Sequence, residues 1–181
     1  MRQILAERGA ILSGHFLLTS GKHSDTYVEK ARLFEDPSLV MSFARDMASW
    51  YQDVDAVVSP AVGAIPLGFA VALETGARFL FAEREDGRLT LRRGFRLASG
   101  ERTLVVEDVV TTGGSAGEVW DIVRSSGAEA LGVAAVVDRS VAPLPFPFRA
   151  LVAVEAKVYE PAECLLCAEG TPLAASGSRH L

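Results

Sequence analysis

The stretch Thr103-Leu104-Val105-Val106, followed at once by Glu107-Asp108 and then by Thr111-Thr112-Gly113-Gly114, constrains this chain more than any other. A continuous run without polar alternation fits a strand covered on both faces, and such strands belong to parallel sheets sandwiched by helices. Beyond the glycines, Ala116, Val119, Trp120 and Val123 recur at helical spacing. Buried strand, bend and amphipathic helix are the parts of a parallel crossover unit.

The same rhythm appears on either side. Asp55 to Ser59 reads as a short buried strand, then a loop over 60–63, then a helix with Ile65, Phe69, Ala72 and Leu73 inward and Gly76 at its end. Arg78 to Phe81, Leu131 to Val137 and Leu151 to Glu155 read as further strands. Asp36-Pro37-Ser38 opens a helix carrying Val40, Phe43, Met47 and Trp50, and residues 2–9 form a short helix with Ile4 and Leu5 inward. The predicted fold is α/β: a central, mainly parallel sheet flanked by helices, in a single domain over 1–181. Small hood elements occupy about 1–35, where His15 to Leu33 read as a hairpin or loop-rich cap, and a tail occupies about 156–181. Residues 83–102 break the pattern with charge and glycine, and Asp86-Gly87 marks a hairpin turn or a mobile loop.

With 49% hydrophobic and 23% charged residues, a chain of 181 residues has ample material for a core. Its net charge of −5 argues against nucleic acid as a partner, so an enzyme of this charge that binds a polyanion must gather its cations locally or borrow them from a metal. The apolar stretches fall short of a membrane span, and Glu7 and Arg8 stand where a secretory signal would be apolar. With only two cysteines, the expected location is the cytoplasm.

The chemistry concentrates at 105–115. Ligands bind at the carboxyl ends of strands in parallel sheets. A helix start offers unpaired N–H groups and a favourable dipole to an anion. Gly113 and Gly114 let the backbone approach closely, while Thr111, Thr112 and Ser115 add hydroxyl donors. The turn is suited to a phosphate. Two acids beside a phosphate make sense only if they face ligand hydroxyls or a cation, such as the 2′- and 3′-hydroxyls of a ribose or hydrated Mg²⁺.

The segment Val105 to Ser115 resembles the phosphoribosyl pyrophosphate motif of the type I phosphoribosyltransferases. The resemblance assigns Glu107 and Asp108 to the ribose hydroxyls and Thr111, Thr112, Gly113, Gly114 and Ser115 to the 5′-phosphate, with Val109 and Val110 between them among the substrate-binding residues. Three further segments are similar to the orotate-using branch: Gly14 to Ser24, with Ser20 and Lys22; Ser59 to Gly68, with Ala61, Val62 and Gly63 in a pyrophosphate loop; and Val137-Asp138-Arg139. There Arg139 would pair with the carboxylate of orotate, a role its planar fork suits. The resemblance runs over about 12–140. It implies transfer of phosphoribosyl from phosphoribosyl pyrophosphate to orotate, with Mg²⁺ held mainly through the substrate, Asp108 reaching it through water, and a homodimer.

The chain departs from the family pattern in its cations. The stretch 82–94 has arginines but no lysine or histidine, Thr19 replaces a lysine common in the family, and Val62-Gly63 replaces a Tyr-Lys pair. Arg84 is then the first candidate to neutralise pyrophosphate, with Lys22, Arg88 and Arg92 behind it. The three histidines, His15, His23 and His180, are expected to have no chemical role, although His23 stands in a suggestive context. Cys164 and Cys167 have the spacing of half a zinc site, and no second pair of cysteines exists. Reduced structural cysteines are therefore expected. Two alternatives remain open: a phosphoribosyltransferase for another base, and a non-catalytic regulator that senses phosphoribosyl pyrophosphate.

Overall fold

A computed structural model describes residues 1–18 and 20–175, so Thr19, His180 and the end of the expected tail lie outside the described residues. The chain divides into two compact units, Phe34–Ala153 and the pair of segments Met1–Leu33 and Val154–Leu181.

In chain order the elements begin with α1 (Arg2–Glu7), β1 (Ile11–Leu17), β2 (His23–Val28) and α2 (Lys30–Phe34). The larger unit then supplies α3 (Pro37–Ala48), β3 (Ala56–Pro60), α4 (Ile65–Thr75), β4 (Arg78–Glu85), β5 (Arg88–Leu91), β6 (Arg102–Val110), α5 (Gly114–Ser125), β7 (Glu129–Asp138) and β8 (Phe148–Ala153). Last come β9 (Val158–Tyr159), a 3₁₀ turn (Pro161–Glu163), α6 (Leu165–Ala168) and β10 (Ala174–Ala175).

The larger unit is built on one sheet in the order β5-β4-β3-β6-β7-β8, parallel throughout except for the β4–β5 hairpin at its edge. Asp36 starts α3 because its carboxylate accepts from the N–H groups of Ser38 and Leu39. Val40, Phe43 and Met47 are buried as the spacing predicts, and so are Ala116, Val119, Trp120 and Val123 of α5. The core between α5 and the sheet joins Val58, Leu80, Val105, Val110, Val119, Trp120, Val133 and Phe146. Burial of these side chains contributes about 1.5–3 kcal/mol each.

Two helix faces differ from expectation. In α4, Leu67, Ala70, Val71 and Ala72 are buried, whereas Phe69 and Leu73 are 52% and 60% exposed. Nearly every position of this helix is apolar, so its periodicity carries no information about which side turns inward. In α1, Leu5 is buried but Ile4 is exposed, because only two turns are available to cover a neighbour. The last strand of the large sheet runs over Phe148–Ala153 rather than to Glu155. Among the described residues no helix is long and apolar enough to cross a membrane.

The smaller unit is a four-stranded sheet in the order β10-β1-β2-β9. Its centre is the β1–β2 hairpin, whose turn is closed by the Leu18 and Gly21 N–H groups donating to Lys22 O and Leu18 O. The histidines of this hairpin meet the cysteine pair, whose two thiols are free as expected. His15, His23, Cys164 and Cys167 converge, with one donor atom from each lying within 4.8 Å of all the others.

Candidate functional site

The parallel order β3-β6-β7 brings three carboxyl-end connections side by side: the 61–63 loop after β3, the 111–115 bend after β6, and Arg139 after β7. Pairing extends to the rim, where Val110 stands beside Asp138 and the Arg139 N–H donates to Val110 O at 2.8 Å. The Ala61 N–H likewise donates to Ala82 O at 2.8 Å, and the Ala61–Val62 peptide is cis. Three loops separated by tens of residues thus meet along one edge because their strands are neighbours.

β6 runs further than the apolar pattern suggests. It passes through Glu107 and Asp108 to Val110, so the acids are held by the sheet ladder and not by a loop. Both are buried, Asp108 at 1% exposure and Glu107 at 6%. Asp108 Oδ1 accepts from the Val109 N–H at 2.6 Å, and Glu107 Oε1 accepts from the Asp108 N–H at 3.2 Å. Such donors fix the direction of each carboxylate. Asp108 Oδ2 lies against Gly63, where a methyl group would come within 2.5 Å of it. The acid and the 61–63 loop are packed in direct contact.

The 111–115 bend forms because Gly113 adopts φ 77°, the left-handed region that glycine enters without a steric cost. A Cβ there would also meet Leu144 Cδ2 at 2.7 Å, a side-chain end that would have to move aside, so the positive φ is the firmer demand for glycine. Helix α5 starts at Gly114 with no side chain capping its first turn, which leaves its leading N–H groups for a ligand. Thr111, Thr112 and Gly114 are exposed around them. An anion fits here.

Arg84, Arg92 and Lys22, three of the expected cations, are engaged with carboxylates. Residues 83–94 are not a loose loop; they form most of the β4–β5 hairpin around Asp86-Gly87. Arg84 donates to Gly87 O and forms an ion pair with Glu118 of α5 at 3.1 Å. Glu118 also accepts from the Leu89 N–H at 2.8 Å, which with Arg84 holds its carboxyl below the usual carboxylate range. Arg92 pairs with Glu85 and Arg93 with Glu83, so the hairpin neutralises much of its own charge. In the smaller unit Ser20 is exposed in the hairpin turn and Lys22 pairs with Glu160 at 2.6 Å.

Glu118 escaped notice in the sequence because its partner strands lie about thirty residues upstream. Leu144 and Phe146, which back Gly113, lie about as far downstream. No local spacing marks either relationship.

Residues 33–150 match the phosphoribosyl transferase domain family. The orotate phosphoribosyltransferase of Caldanaerobacter subterraneus subsp. tengcongensis is 50% identical over 99% of this chain and 96% of its own length. Among solved structures, the orotate phosphoribosyltransferase of Aeropyrum pernix superposes with a TM-score of 0.63 at 25% identity, covering 96% of this chain and 90% of that one. The Mycobacterium tuberculosis orotate phosphoribosyltransferase, solved with inorganic phosphate, gives 0.62 at 27% identity over 84% and 95%. With a family match over most of its length and a near full-length relative at half identity, this chain belongs to the phosphoribosyl transferase family, in the branch of the orotate phosphoribosyltransferases.

Proposed function

We propose that the chain transfers the phosphoribosyl group of 5-phosphoribosyl 1-diphosphate to orotate, giving orotidine 5′-phosphate and pyrophosphate, as a cytoplasmic homodimer using Mg²⁺. The observation that carries this reading is the adjacency of a phosphate-ready helix start, a buried acid pair and Arg139 at the ends of neighbouring parallel strands.

In this reading the N–H groups of Gly114 and Ser115 and the hydroxyls of Thr111, Thr112 and Ser115 hold the 5′-phosphate. Glu107 and Asp108 accept hydrogen bonds from the ribose hydroxyls, and Arg139 takes the orotate carboxylate bidentately. The 61–63 loop offers its backbone to pyrophosphate. Because Gly63 covers Asp108 in the present conformation, sugar binding must lift that loop from the acid.

Held in line, the orotate ring nitrogen forms its bond to the anomeric carbon as the bond to pyrophosphate breaks. The protein needs no nucleophile of its own; positioning and charge complementarity supply the acceleration. Mg²⁺ would be held mainly by oxygens of the substrate, with Asp108 reaching it through water. When bound, the ion offsets charge on the departing pyrophosphate. That offset matters more here because Arg84 and Lys22 have internal partners. Self-association through α4 would cover its exposed Phe69 and Leu73.

Loss of orotate absorbance on adding phosphoribosyl pyrophosphate and Mg²⁺, run beside adenine, uracil and hypoxanthine, tests the reading. Turnover with orotate alone supports it. Turnover only with another base reassigns the acceptor, and no pyrophosphate with any base points to a sensor.

A further inference from the structure

The smaller unit contains a set of side chains that the transfer reaction does not use. His15 lies on β1 and His23 opens β2, the two central strands of its sheet. Cys164 caps the start of α6 and Cys167 lies within that helix. His15, His23 and Cys164 are buried, while Cys167 is exposed. Two soft sulfur donors and two imidazoles, drawn from segments about 140 residues apart, thus face one point with a way in from solvent.

The separations suit a tetrahedral ion of zinc's size. Cys164 Sγ and Cys167 Sγ lie 3.4 and 3.7 Å from His15 Nε2, and Cys167 Sγ lies 3.3 Å from His23 Nδ1. A tetrahedral ion with Zn–N of about 2.0–2.1 Å and Zn–S of about 2.3 Å places nitrogen and sulfur ligands roughly 3.5 Å apart. The two ring nitrogens are 2.9 Å apart, a little closer than the ~3.3 Å such an ion would set.

His15 shows which of its nitrogens would bind. Its Nδ1 lies 2.8 Å from Thr171 O, and a carbonyl can only accept, so Nδ1 carries the proton and Nε2 turns its lone pair toward the other three groups. A metal-bound histidine is oriented in the same way, by its second nitrogen donating to a backbone carbonyl.

The surrounding segment supplies a reason for such a site. From Val154 to Ala174 the chain forms two-residue strands, a 3₁₀ turn and a four-residue helix, and the only buried apolar side chains there are Val154 and Cys164. Leu165 and Leu173 are exposed. Short segments with so little core are commonly held by a metal or a disulfide.

We infer that His15 Nε2, His23 Nδ1, Cys164 Sγ and Cys167 Sγ form a structural zinc site that fastens the C-terminal segment to the β1–β2 hairpin. Four protein donors leave no open position for water or substrate, so the ion is structural and takes no part in transfer. Binding deprotonates both thiols, and their protons pass to solvent.

The test uses full-length protein freed of any histidine tag, purified under reducing conditions and analysed for metal. One zinc per chain is expected in the wild type, with Cys167→Ser retaining less than a tenth of it. As a readout independent of folding in that variant, the wild type is also stripped with chelator and titrated with Co²⁺, which should give the intense visible bands of a tetrahedral thiolate site at one equivalent. Zinc-free wild type that shows no such bands with Co²⁺ would overturn the site, as would a Cys164–Cys167 disulfide in freshly purified protein. Full zinc in Cys167→Ser would overturn this ligand set.

Discussion

The backbone of Gly63 lies against the carboxylate of Asp108, so closely that a single methyl group on residue 63 would come within 2.5 Å of Asp108 Oδ2. The contact couples the loop offered to pyrophosphate with the acid offered to the sugar. Asp108 has little room to retreat, since it is 1% exposed and its other oxygen is held by the Val109 N–H. Gly63→Ala should therefore displace the loop. We expect kcat/KM to fall about ten- to a hundredfold with little change in Tm. Asp108→Asn keeps the shape and removes the charge, and should lower kcat by about two to three powers of ten. Steady-state kinetics and thermal denaturation of the two variants check both; wild-type turnover in Asp108→Asn removes that residue from the mechanism.

Gly113 and Gly114 are adjacent but not equivalent. A side chain at 113 meets a left-handed φ of 77° and Leu144 at 2.7 Å, whereas one at 114 meets only Thr112 Oγ1 at 3.6 Å, an ordinary contact. Gly113→Ala is expected to cost about 2–4 kcal/mol of stability. Gly114→Ala should be near neutral or slightly stabilising, within about 1 kcal/mol, yet raise the KM for phosphoribosyl pyrophosphate by crowding the phosphate. Denaturant unfolding alongside kinetics distinguishes the two effects.

Arg84 pairs with Glu118 across the hairpin and α5. If anchoring is its main work, Arg84→Ala and Glu118→Ala should weaken stability alike, each by less than about 1 kcal/mol for so exposed a pair, and the double variant should lose less than the sum. Both should change the KM for phosphoribosyl pyrophosphate to the same extent. A large rise in Arg84→Ala alone would give Arg84 a direct role on pyrophosphate.

Glu101 carries a pH signature. Arg78 binds both its oxygens, at 2.5 and 2.7 Å, and the Ala98 N–H donates to it, so its carboxyl lies below the usual value of 4.5. A carboxyl depressed on folding adds stability that is fully present above its unfolded pKa and lost as pH falls through the lower folded value. Glu101→Gln should thus lose about 1 kcal/mol at pH 7, and the gap to wild type should close only below pH 4.5. Urea titrations across the acid range measure the gap directly.

The parts of this chain that could be read in its sequence are those where local pattern and tertiary placement agree. The buried run before Glu107, the cap at Asp36 and the inward face of α5 each follow from spacing alone. The bend at Gly113 was legible for the same reason, since strand, glycine and helix start are contiguous. Orientation failed where nothing distinguished one face from another, as in α4, whose polar face is missing. The hairpin's arginines could be counted but not assigned, because Glu118 reaches them from a helix thirty-odd residues away. His15 and His23 looked idle for a similar reason: only the strand pairing places them beside each other, and only the return of the C-terminal segment brings Cys164 and Cys167 to them.

The most direct test is a crystal structure of the protein soaked with ribose 5-phosphate. The phosphate should lie on the N–H groups at the start of α5, among Thr111, Thr112 and Ser115, with the 2′- and 3′-hydroxyls on Glu107 and Asp108 and the 61–63 loop drawn away from Asp108. A well-ordered ligand bound elsewhere, with this bend empty, would contradict the assignment of the site.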